Sequence, residues 1–157
     1  MQNPVSFNSH LERFDKKGGE FYMLVPDEVA MQFVTGRKPE RVRCRLNNTV
    51  DFQCAIRPMA NGSFYINLAT DIRRKAGIVL GDKLSASVVK DDSEYGRDMP
   101  DELTELLAQD PLGNELFQKL LASHQRGIIH YVDSAKSVQV RVDRAVKMIN
   151  RLKVSGN

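Results

Sequence analysis

The 157-residue chain has no tryptophan, two cysteines, three histidines and few aromatic residues of any kind, 7% in all. Two cysteines, Cys44 and Cys54, are too few for a disulfide framework and read as buried thiols in a reducing compartment. None of His10, His124 and His130 shares ligand spacing with a cysteine, so no metal is expected. No apolar run approaches the roughly 20 residues that a membrane helix needs. The first residues lack the basic head and apolar core of a secretory signal, so a cytoplasmic protein with no membrane partner is expected. Nor is there a strong charge of one sign: 23 basic against 20 acidic residues leave +3. So small an excess neither demands nor excludes nucleic acid, which would need its cations gathered on one face. The chain shows no nucleophile elbow, no paired catalytic carboxylates and no phosphate-cradling glycine loop. A non-enzymatic protein without a cofactor is therefore expected.

What is present is the composition of a folded domain, 41% hydrophobic and 27% charged. Up to about residue 90 the apolar residues recur with period two. Val5, Phe7, Ser9 and Leu11 alternate with polar neighbours, and Phe21, Met23 and Val25 follow after a turn at Gly18-Gly19. Val29 and Phe33 lie four apart, as on a short helical turn. Val42, Cys44 and Leu46 alternate with Arg41, Arg43 and Arg45. Beyond Asn47-Asn48, the residues Val50, Phe52, Cys54 and Ile56 continue the same parity. Equal parity on both arms predicts a hairpin loop of about three residues, with asparagine taking φ > 0, and places Cys44 near Cys54. Phe64, Ile66 and Leu68, then Leu84, Ala86 and Val88, complete five or six short strands. Such a set removes its open edges by closing into a small barrel.

The rhythm changes beyond Asp91 and Asp92, which read as a solvated joint. Leu103, Leu106 and Leu107 share a helical face. Asp110, with Pro111 after it, is placed to cap a helix carrying Leu112, Leu116, Phe117 and Leu120. Ser123 is placed to cap one with Ile128, Ile129, Val132 and Ala135 inward. Ser137 is placed to cap a last one with Val138, Val142, Ala145, Val146, Ile149 and Leu152 inward. The expected fold is α+β: a β-barrel over 1–92, then a helical region over 97–157.

Residues 123–147, SHQRGIIHYVDSAKSVQVRVDRAVK, resemble the C-terminal signature of the YdeI/OmpD-associated family of bacteria, often labelled bacteriocin-protection. Ser123, Arg126, Tyr131, Val132, Ala135, Lys136, Arg141 and Arg144 carry the resemblance. Tyr131 stands where that pattern has Trp, Gln139 where it has Glu and Val140 where it has Thr. The PDELTELLAQDP stretch is similar to that family's linker and first helix. The first 90 residues resemble the uncharacterised β-barrel domain that commonly precedes it, through Val25-Pro26, the basic strand at 41–45, Pro58, Gly62 and LATDIRRKAGIVLGDKL. The resemblance implies no established biochemical activity. Residues 66–88 are also similar to the strand–helix–Gly-Asp–strand element of swapped-hairpin barrels, which AbrB-like DNA-binding regulators use. In it Ile72 and Ala76 pin the helix, Gly77 ends it and Gly81-Asp82 turns the chain. Fold likeness of this sort speaks little of function.

Two basic groups are the candidate binding residues. Arg41, Arg43 and Arg45 project from one strand face, and Arg73 and Arg74 join them if the barrel brings those elements together. Arg126, Lys136, Arg141 and Arg144, followed by Lys147, form the second group. Both suit an anion. The plainer reading is a solvated face balanced by Glu40, Asp51 and Asp71 in the first group and by Asp133 and Asp143 in the second. His124 is the one general-base candidate, and it needs a nucleophile beside it. The expected function is a binding module for a protein or a small anionic ligand. The alternative is a nucleic-acid-binding regulator, for which aromatics interleaved with the cations would be needed; Tyr65 is the obvious one.

Overall fold

A strand with one face toward a core and one toward water must alternate, and the first ninety residues do so through seven antiparallel strands. The computed structural model describes residues 3–155, and the domain ends placed at 1–2 and 156–157 lie outside them. The strands are β1 (Val5–His10), β2 (Glu12–Arg13), β3 (Phe21–Val25), β4 (Glu40–Leu46), β5 (Val50–Pro58), β6 (Phe64–Asn67) and β7 (Lys83–Lys90). They pair in the order β1-β7-β4-β5-β6-β3-β2. The two ends of that order are consecutive in the chain, β1 and β2, bent at Leu11. Leu11 N–H donates to Asp82 O at 2.9 Å, and Gly81 N–H donates to Leu11 O at 2.8 Å. One bent strand therefore serves both sheet ends, and the barrel is nearly closed. The sequence expectation of five or six strands omitted β2, two residues long and without its own apolar alternation.

Period-two residues fill the interior: Phe7, Met23, Val25, Val42, Cys44, Leu46, Val50, Ile56, Phe64, Ile66, Leu84, Ala86 and Val88 are all buried. The β4–β5 register pairs Leu46 with Val50 and Cys44 with Phe52, leaving Asn47, Asn48 and Thr49 as the loop. Asn47 (φ 51°) and Asn48 (φ 58°) supply the left-handed backbone that the loop needs. The short helix α1 (Asp27–Ala30) buries Val29 under one end. Helix α2 (Thr70–Ala76) rests Ile72 and Ala76 on the core and ends at Gly77, φ 65°.

The chain divides into two units between Asp92 and Ser93. The second holds α3 (Asp101–Gln109), α4 (Pro111–Gln118), α5 (Ala122–Asp133) and α6 (Val138–Ser155). Its own core is Leu103, Leu107, Phe117, Ile128, Ile129, Val132, Ala145 and Ile149. Asp110 caps α4, accepting from Gly113 N–H at 2.9 Å, and Ser137 Oγ accepts from Val140 N–H at 3.2 Å before α6. Three expectations fail here. α5 begins at Ala122 after Leu121, so Ser123 lies inside it and caps nothing. Leu112 is exposed on α4. Of the α6 stripe, Ala145 and Ile149 are buried and Leu152 partly so, while Val138, Val142 and Val146 face outward. Only a narrow arc of α6 meets α3, α4 and α5, and valines at its flank lie outside that arc.

Candidate functional site

Because β4 buries its even residues, Arg41, Arg43 and Arg45 share the outer face of the barrel, Arg41 half-buried and the other two exposed. Their carboxylate partners are partly as expected. Arg45 Nη1 lies 3.5 Å from Asp51 Oδ2, and Arg45 Nη2 donates to Asn48 O at 3.2 Å. Arg43 Nε lies 3.6 Å from Asp91 Oδ1, and Gln53 Nε2 donates to Asp91 Oδ2 at 3.0 Å. Asp91 is thus a buried carboxylate clasped by two strands, which corrects its reading as a solvated joint. A buried carboxylate persists only with such partners. Arg73 is committed elsewhere: its guanidinium lies 3.9 Å from the Phe21 ring centroid and donates to Leu68 O and Thr70 Oγ1. Arg74 is exposed in the last turn of α2.

Beside Arg45 the outer face sinks into an open depression of about 260 Å³ lined by Ser6, Asn8, Arg45, Asn48, Ser85 and Ser87. The register explains why these side chains meet. Ser6 pairs with Ser87, Ser87 with Arg45, and Asn8 with Ser85, so three adjacent strands present hydroxyl, amide and guanidinium groups outward in rows. Sequence reading missed the serines because a polar residue at an outward strand position carries no signal until its neighbours across the sheet are known. Inside the barrel Cys44 and Cys54 are free and buried. The hydrogen bond from Cys44, then burial, push the Cys54 thiol up, and it stays a packing group.

In the helical unit the signature arginines bind their own fold. Arg141 Nε donates to Glu102 Oε1 on α3, and its Nη1 donates to Ala135 O at 3.0 Å. Arg144 Nη1 donates to Tyr131 O at 2.8 Å and to Ser134 Oγ at 3.1 Å, with its guanidinium 4.6 Å from the Tyr131 ring centroid. Both cations cover carbonyls at the C-terminal end of α5, where the helix dipole is negative. The partner of Arg141 is therefore Glu102, not Asp133 or Asp143. Arg126 is half-buried on α5, Lys136 is exposed and Lys147 lies 5.9 Å from the Tyr131 ring centroid. His124 is exposed in the first turn of α5, where its backbone N–H donates to Leu121 O at 2.9 Å.

A cluster of which the sequence reading named only Tyr65 lies on the barrel's other flank. Tyr22 and Tyr65 alternate outward from β3 and β6, and Phe14 follows β2. Phe14 and Tyr22 stack at 4.2 Å with 27° between their planes; Tyr65 meets them edge-on at 5.3 and 5.9 Å. All three rings are half-buried. Lys16 Nζ lies 5.9 Å from the Phe14 ring centroid, and Arg57 is directly opposite Tyr65 across the β5–β6 ladder. Burial, and then Glu12, raise the Tyr22 phenol above its ordinary range, so it remains neutral. Gly19 holds this corner: a Cβ there would stand 2.0 Å from Phe14 O.

Residues 7–88 match the family described as a domain of unknown function, DUF1905, and residues 97–154 match the one described as bacteriocin-protection, YdeI or OmpD-associated. A comparison with curated proteins finds no match.

Proposed function

We propose that this chain, which belongs to the DUF1905 family through its barrel, is a non-enzymatic binding module that takes a small anion on its outer barrel face. The depression at Arg45 carries the reading. One guanidinium, three serine hydroxyls and two carboxamides converge on a single open hollow, and a phosphate or carboxylate group is what such donors satisfy together. Arg45 is solvent-facing and its pair with Asp51 is exposed, so the guanidinium can exchange that partner for a ligand at small cost. The match of the helical unit to a bacteriocin-protection family supports a role in bacteriocin or stress tolerance.

The test is thermal melting in increasing inorganic phosphate or citrate, with sodium chloride at matched ionic strength as control. The reading expects a rise in Tm that tracks a stability gain of RT ln(1 + [L]/Kd), growing with the logarithm of concentration above Kd, and that disappears in Arg45→Ala and in Ser6→Ala/Ser87→Ala. A shift equal to that of chloride, or one that survives both variants, removes it.

A further inference from the structure

A second surface, sharing no residue with the Arg45 depression, points to another ligand. Aromatic side chains on an outer barrel face have two ordinary fates: burial under other chain, or service as a contact surface. Phe14, Tyr22 and Tyr65 are neither fully buried nor scattered; they form one three-ring group with Leu24, 37% exposed, next to Tyr65 in the β3–β6 register. The group is held rigidly. Tyr22, Leu24 and Tyr65 stand on paired strands, and Phe14 is fixed by its N–H to Glu20 O at 3.0 Å and by the close approach of Gly19. Rigid rings give up little entropy on contact, which favours stacking of a flat partner.

Cations border the rings. Lys16 lies above Phe14 and Arg57 beside Tyr65. The carboxylate set against the rings is Glu12. Rings with cations beside them are what an unpaired nucleic-acid strand requires: faces for its bases and positive charge for its backbone. A carbohydrate would use the rings but would not need the cations.

We infer that the outer face of β2-β3-β6 and the adjoining end of β5 binds single-stranded nucleic acid, with bases stacked on Phe14, Tyr22 and Tyr65 and phosphates near Lys16 and Arg57. Four strands span roughly 14 Å at the usual strand spacing, room for about two or three bases. A paired duplex hides its base faces, so the surface selects the unpaired strand.

The experiment uses the full chain and a fluorescein-labelled 12-nucleotide mixed-sequence oligomer, in DNA and RNA forms, read by anisotropy at about 20 mM salt. The same DNA annealed to its complement is the control. The single strands bind, with affinity falling as salt rises. Tyr65→Leu and Phe14→Leu, which keep apolar bulk for the fold, each weaken binding roughly 5- to 150-fold, the range expected for one lost stacking contact. Because the chain has no tryptophan, tyrosine emission is an independent readout: stacking quenches it in the wild type and less in Tyr65→Leu. Arg45→Ala leaves single-strand binding unchanged, so failure here and failure of the anion reading are told apart. The inference is overturned by no binding at low salt, by equal binding of the duplex, by leucine variants that bind as the wild type does, or by a neutral oligosaccharide that competes the strand away.

Discussion

Arg144 shows how a residue that resembles a ligand-binding cation is spent on architecture. Its guanidinium bonds the Tyr131 carbonyl and the Ser134 hydroxyl and lies over the Tyr131 ring. The planar fork makes those contacts at once, which an ammonium on a flexible stem does not. Arg144→Ala is expected to destabilise the protein by about 1–3 kcal/mol, and Arg144→Lys to recover only a minor part, both measured by urea denaturation. Arg141 and Lys153 behave alike but through carboxylates. The hydrogen bond from Arg141 holds Glu102 below its ordinary 4.5, and that from Lys153 holds Asp110 below its ordinary 3.8. A depressed carboxylate stabilises the fold fully above its unfolded-state value, and the effect is lost as pH falls through the folded value. Stability is therefore expected to fall as pH drops below about 4.5. The double variant Arg141→Ala/Lys153→Ala should flatten that limb while stability at pH 7 falls toward the acid level. Parallel curves for the variant and the wild type would contradict it.

At the scale of the element, two loops carry most of the local information. The three-residue β4–β5 loop needs positive φ at Asn47 and Asn48, and Asn47 Oδ1 also accepts from Ser85 N–H at 3.0 Å on β7. Asn48→Gly should be neutral within about 0.5 kcal/mol. Asn48→Val should cost about 1–2 kcal/mol, and Asn47→Gly should lose the side-chain tie to β7 while keeping its N–H bond to Ser85 O, differences that thermal melting resolves. The 14–20 loop is more demanding. Gly19 is buried against the backbone of Phe14, so Gly19→Ala forces the loop to move and displaces Phe14 and Lys16. Its expected effect is a change in the Phe14–Tyr22 ring contacts, read as shifted aromatic proton resonances, with β4–β7 resonances little altered. The hairpin was legible from parity alone, whereas the role of Gly19 was not: a Gly-Gly pair announces a turn but not which backbone passes beside it.

At the scale of the whole molecule, two units with separate cores follow from one change of rhythm near residue 90. Strands and helices were readable there because burying one face of an element imposes its period on the chain. The α6 stripe marks the limit of that logic. Val138, Val142 and Val146 fit the helical period as well as Ala145 and Ile149 do, and only packing against α3, α4 and α5 chose between them. The arginine groups show the same limit, since Asp91 for Arg43 and Glu102 for Arg141 lie 48 and 39 positions away along the chain.

Local periodicity, turn chemistry and the helix caps at Asp110 and Ser137 were set by the amino-acid sequence itself, because each acts over a few neighbouring residues. The tertiary structure decided which outward side chains became neighbours: Arg45 with three serines, and Phe14 with Tyr22 and Tyr65. Strand register and barrel closure set those distances, and both depend on contacts between residues far apart in the chain.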